Sequence, residues 1–201
     1  EIVAYVSQIK DLKFEGELPL ADAGKLREMI ESNPVRVPDA ALAEKMYRLI
    51  QDTRQAGDSL GGIVECAAIG VPAGWGDPVF DRLDALIAQA MLAVPATKGI
   101  EIGSGFSAVT MTGKEHNDIF EAHGGKITTR TNHSGGIQGD ISNGMPITFR
   151  VAFKPTATIS HEQPSVNERG ENVTLKVKGR HDPCVLPRAV PIVEAMLALV
   201  L

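Results

Sequence analysis

The 201-residue chain has few aromatic residues, 4% in all, so aliphatic side chains must fill most of its core. It lacks any run of the roughly 18 apolar residues needed to span a membrane, and it carries no signal-peptide pattern. Basic excess is also missing. A net charge of −5 argues against a general nucleic-acid binder, which needs a positive surface. Only two cysteines occur, Cys66 and Cys184, far apart and without CxxC spacing, which fits a reducing cytosol and gives no metal signal. The histidines at 116, 123, 133, 161 and 181 show no HExxH or other ligand spacing, so no metal site is expected. There is no P-loop, no serine-centred nucleophile elbow, no internal repeat and no low-complexity tract. What remains is 43% hydrophobic and 22% charged residues, ordinary for a globular protein. The length suits one large domain or two small ones.

Several segments declare their structure. Ile2–Val6 is β-branched and reads as a strand. Helices are expected over 21–32 and from Pro38 to about Ala56, the second with Leu42, Met46, Leu49 and Ile50 at helical spacing. Leu60–Val71 reads as a buried strand interrupted by Glu65, whose carboxylate either faces solvent, the favoured reading, or pairs with a cation. Asp77 and Pro78 suit the start of a helix running to about Ala93, with Val79, Phe80, Leu83, Leu86, Ile87, Ala90 and Met91 as its apolar stripe. Ile100–Gly103 is a short strand, and residues 113–131 form a polar excursion. Gly103-Ser104-Gly105-Phe106 lacks the third glycine and the following helix of a dinucleotide fingerprint. Pro146–Lys154 alternates with period two, as a half-buried strand does, and Val173–Lys178 repeats the pattern. Residues 160–170 read as a loop. The last helix, from about Pro187 to Leu201, is apolar on nearly every side and so is expected to be central. Glu1 falls within a strand and Leu201 within a helix, so the sequence reads as part of a longer chain.

Two stretches could do chemistry. In Asn132–Thr158, closely spaced glycines are followed by a strand and by Lys154-Pro155-Thr156-Ala157-Thr158, whose cation and hydroxyls suit a phosphate. The alternative is a surface loop before an edge strand. In Gly179–Cys184, Arg180, His181 and Asp182 combine an anion binder with two proton-transfer groups. The alternative there is a self-neutralising surface turn.

Ordered strings along the whole chain resemble the chorismate synthase family. They are Gly57-Asp58-Ser59-Leu60-Gly61-Gly62, Gly70-Val71-Pro72-Ala73-Gly74, Asp77-Pro78-Val79-Phe80-Asp81-Arg82-Leu83-Asp84, Lys98-Gly99-Ile100-Glu101-Ile102-Gly103, Asn132-His133-Ser134-Gly135-Gly136-Ile137, Lys154-Pro155-Thr156 and Gly179-Arg180-His181-Asp182-Pro183-Cys184. The resemblance matches the later part of the family's chain, without the portion carrying its two catalytic histidines and several substrate-binding arginines. It implies an α+β fold of the β-α-β sandwich type, sheets packed around a central helical layer, with residues 1–201 as a single domain. It also implies a cytoplasmic homotetramer that binds neither nucleic acid nor membrane. The implied reaction is the last step of the shikimate pathway, in which 5-enolpyruvylshikimate-3-phosphate loses phosphate and a ring proton to give chorismate. That 1,4-elimination is redox-neutral yet requires reduced FMN, with NADPH as reductant in some members.

Carried over by matching positions, the resemblance implies FMN contacts at Pro95, Ala96, Gly139, Lys154, Pro155, Thr156, Ala157, Thr158 and Arg180. It implies substrate contact at Arg180 as well, and a catalytic role for Asp182. His181 is expected to orient its neighbours, and His133 to anchor its loop by hydrogen bonds. Asp140 stands where many relatives have glycine; a carboxylate beside an anionic cofactor is unfavourable, so it is expected to face solvent. The 201 residues alone are expected to give no turnover. The alternative in another class is a non-catalytic flavin- or phosphate-binding module that kept the scaffold.

Overall fold

A computed structural model describes every residue except Lys178 and Arg180, and all side chains but theirs and that of His123. In chain order the elements are β1 (Ile2–Ile9), β2 (Leu12–Lys13), α1 (Ala23–Glu31), α2 (Ala40–Ala56), β3 (Gly62–Ala68), α3 (Leu83–Leu92) and β4 (Thr97–Ile102). A 3-10 turn at Gly105–Thr110 leads to α4 (Gly113–His116) and the hairpin β5 (Phe120–His123) and β6 (Lys126–Thr129). Then come β7 (Ile137–Gln138), β8 (Ile141–Ser142), β9 (Ile147–Phe153), β10 (Gln163–Val166), β11 (Asn172–Leu175) and α5 (Leu186–Val200).

The main sheet has the order β2-β1-β3-β9-β4, antiparallel throughout. Its alternating sequences decide which face is buried. Ala4, Val6, Val64, Cys66, Ile147, Phe149, Val151 and Phe153 point to one side, where they pack with Ile87 and Met91 of α3 and with Val190, Val193 and Leu197 of α5. On the other side Val3 and Tyr5 meet Leu26 and Ile30 of α1. The free edge of β1 is tied down by side chains: the Ala4 amide donates to Glu194 Oε1 at 2.8 Å, and Arg27 donates to the Ile2 carbonyl at 2.6 Å. This leaves fewer unpaired strand groups to recruit another chain. The fold is α+β, as expected. The strand after the glycine-rich stretch is interior, between β3 and β4, and not at an edge.

Several expectations need correction. The helix expected from Asp77 begins only at Leu83, with Arg82 as its N-cap and no side-chain capping bond. Residues 77–81 instead form a loop closed by reciprocal Asp77–Asp81 main-chain hydrogen bonds of 2.9 and 3.0 Å. Val79 and Phe80, counted on the apolar stripe, stand 76% and 91% exposed. The loop expected over 160–170 contains β10, which pairs with β11, and every residue of β11 is exposed, not half-buried. Glu65 is half-buried on the recess lined by Tyr5 and Arg150, and beyond that partial exposure it accepts a 2.5 Å hydrogen bond from the Tyr5 hydroxyl; among the described residues it has no ion pair. Within this chain α5 is buried along one side, while Ile192 and Leu199 on the other are exposed.

Candidate active site

The candidate site grows from the C-terminal end of β9. There the Lys154 amide donates to the Ala96 carbonyl at 2.9 Å, joining two segments that the sequence places 58 residues apart by numbering (154 − 96). Ala96 sits at φ +72°, a conformation that costs an alanine about 1 kcal/mol, so the surrounding turn imposes it. The Thr156 hydroxyl donates to the Asp182 carbonyl at 3.0 Å. Thr156 thus ties the phosphate-suited segment to the segment carrying Asp182. The Asp182 carboxylate is paired with Arg188 of α5. Lys154 and Thr158 are exposed, which leaves an ammonium and a hydroxyl open to an anion.

The string Gly57–Gly62 stitches this corner together. Gly57 ends α2 in the left-handed conformation, and the Ser59 hydroxyl donates to the Thr156 carbonyl at 2.6 Å. The Leu60 amide donates to the Pro183 carbonyl at 2.7 Å. A Cβ on Gly61 would lie 2.5 Å from the Phe153 carbonyl oxygen and 2.8 Å from Pro155 Cδ. Only glycine lets Lys154 and Pro155 cross so closely. In the sequence this string reads as a turn into a buried strand and as part of a family likeness; its work is to hold β9, Thr156 and Pro183 in register.

Gly139 lies elsewhere. It belongs to the β7–β8 hairpin, and the next residue, Asp140, accepts from the Leu83 amide at the start of α3 at 3.0 Å. Ala96 follows the far end of that helix, so one helix length, roughly 15 Å, separates Gly139 from the Lys154 corner. At φ +60° Gly139 has nothing within 4 Å of where a Cβ would stand, which leaves its surface open to a flat group. The Asp140 side chain is 41% exposed and pairs with Arg82 at 3.3 Å, so its charge is partly compensated as well as solvated. Among the expected contacts, Ala96, Lys154–Thr158 and Asp182 come together, with Pro95 adjoining them in the chain; Gly139 does not; Arg180 lies outside the described residues.

One residue with no signal in the sequence is Asp118. Only 1% exposed, it accepts from the Thr131 hydroxyl (2.6 Å) and from the amides of His133 and Ser134 (both 2.8 Å). Burial opposes its ionisation, but these hydrogen bonds together outweigh it and hold the carboxyl below its ordinary range. His133 closes the arrangement, its carbonyl accepting from the Ser104 amide at 2.7 Å and its Nδ1 lying 3.0 Å from the Ser104 hydroxyl. The loop before β7 is therefore fixed by a buried carboxylate. Both cysteines are buried and free, with burial pushing the Cys184 thiol up to about 11, and the described residues contain no cluster able to hold a metal ion.

Comparison with known proteins agrees with this arrangement along the full length. The family model for chorismate synthase matches residues 1–201. The chorismate synthase of Opitutus terrae is 57% identical over 201 residues, and that of Crocosphaera subtropica 59% over 202; each alignment covers 100% of this chain and 54% of the relative. A solved structure described as the crystal structure of chorismate synthase superposes with a TM-score of 0.80 at 31% identity, covering 100% of this chain and 55% of its own. The chain spans about half the length of the curated relatives it matches. With the family model matched over residues 1–201 and the solved relative superposing over the whole chain, the chain belongs to the chorismate synthase family.

Proposed function

We propose that the full-length protein is a carbon–oxygen lyase that eliminates phosphate from 5-enolpyruvylshikimate-3-phosphate to give chorismate, with reduced FMN as cofactor. The observation that carries this is the joining of Lys154–Thr158 to Ala96 and to the Asp182 segment, in a chain of this family. The residues fit the cofactor's chemistry. Lys154 and Thr158 are open to a phosphate, and Gly139 offers an uncovered backbone to a ring. Reduced FMN, when bound, supplies electron density as phosphate leaves and recovers it as the ring hydrogen departs.

The chain's own residues do the rest. Lys154 neutralises phosphate charge. Asp182 handles the proton, its backbone fixed by Thr156 and its carboxylate oriented by Arg188. The C–O bond to phosphate and a ring C–H bond break, a second ring double bond forms, and phosphate and a proton depart. The same reading makes the protein a cytoplasmic homotetramer, with the exposed Val79, Phe80, Ile192 and Leu199 available for burial. NADPH is one source of reducing equivalents.

Anaerobic incubation of full-length protein with substrate and photoreduced FMN tests the proposal. Phosphate release matched by chorismate absorbance is expected, and none with oxidised FMN. A protein that binds FMN yet releases no phosphate under reducing conditions would be a binding module instead.

A further inference from the structure

Beside Asp182 the structure holds a recess of 330 Å3 that the contacts above do not use, lined by Arg54, Gly57, Asp58, Ser160, His181 and Asp182 among others. Of its two carboxylates, one is charge-paired with a cation and the other accepts a backbone amide. The Asp58 carboxylate accepts from the Ser59 amide at 2.8 Å, and that of Asp182 pairs with Arg188. The carbonyls of Thr53 and Arg54, at the negative end of α2, are capped by the amides of Asp58 and Gly57 at 3.0 and 3.1 Å. The groups without partners are those an anion would use. The Arg54 side chain has no hydrogen bond or ion pair among the described residues. His181 Nε2 is buried without any hydrogen-bond partner, an arrangement that is costly unless something fills it.

We propose that this recess is a phosphate-binding site, in which the Arg54 guanidinium and the His181 ring receive a phosphate group next to Asp182. A guanidinium fork meets phosphate oxygens in bidentate geometry, and an imidazole N–H adds a third donor. The site deepens the proposed elimination by giving phosphate a seat distinct from Lys154, although the anion site itself stands on the free donors alone.

The test uses the full-length protein and inorganic phosphate as probe. Calorimetry gives the affinity, and 15N-histidine NMR follows the His181 ring. The Arg54 side chain is exposed, so Arg54→Gln leaves folding intact, and it is expected to weaken phosphate binding about tenfold. Arg54→Lys should recover part of that loss, and His181→Gln should weaken binding independently. Unchanged affinity in Arg54→Gln, or a His181 signal that ignores phosphate in the wild type, overturns the site. Repeating the titration with saturating oxidised FMN identifies the source: phosphate binding that persists assigns the seat to the substrate's phosphate, and binding that is abolished assigns it to the flavin's. Release of phosphate from substrate by a protein in which Arg54→Gln changes nothing would overturn this site while leaving the lyase standing; a phosphate site without turnover would do the reverse.

Discussion

Asp118 shows how one carboxylate can set a loop. Asp118→Asn removes the charge that three donors share, and about 2 kcal/mol of stability should go with it, read by urea denaturation. The folded carboxyl lies below its ordinary value near 3.9. The contribution is therefore complete above about pH 5 and is lost as pH falls through that depressed value, so wild-type and variant stabilities converge in acid. Curves that stay parallel down to pH 3 would show that the charge contributes nothing. Gly139 behaves in the opposite way. With open space around it, Gly139→Ala should cost the fold only about 1 kcal/mol for its positive φ but should weaken FMN binding in a fluorescence titration; unchanged FMN affinity would separate this glycine from the cofactor. Lys154 and Asp182 stood out in the sequence because ammonium and carboxylate beside turn residues already suggest phosphate and proton chemistry. Asp118 did not, since its three partners become neighbours only after the 117–134 segment folds back on itself.

At the scale of elements, periodicity was a good guide where one face alone is buried. β9 alternates in sequence and is buried at every second residue, because its outward residues meet the polar row Glu65–Arg150–Glu101 across the sheet. The start of α3 departs from its sequence signal for a local reason. Asp77-Pro78 has the chemistry of a helix start, yet the chain spends these residues on a loop whose apolar tip, Val79 and Phe80, stands exposed. The two starts can be separated by experiment. Asp39 caps α2 through a 2.7 Å bond to the Leu42 amide, so Asp39→Ala should cost about 1 kcal/mol. Asp77→Ala should change stability by less than about 0.5 kcal/mol, measured in the same denaturant series. Equal losses would restore Asp77 as a cap. β11 shows the converse limit, since its sequence alternates although every one of its residues is exposed.

For the whole molecule, the sheet and the Gly57–Gly62 string bring three distant segments to one corner, which no local pattern could announce. Spacing put Ala96, Thr156 and Asp182 in separate parts of the chain, and only the resemblance to a family joined them before the structure did. The proposed elimination assigns its proton chemistry to this corner. Asp182→Asn in the full-length protein, assayed anaerobically with reduced FMN alongside an FMN binding titration, tests it directly. The account predicts FMN affinity within about twofold of wild type and turnover reduced about 100-fold or more. Turnover at the wild-type rate would contradict it.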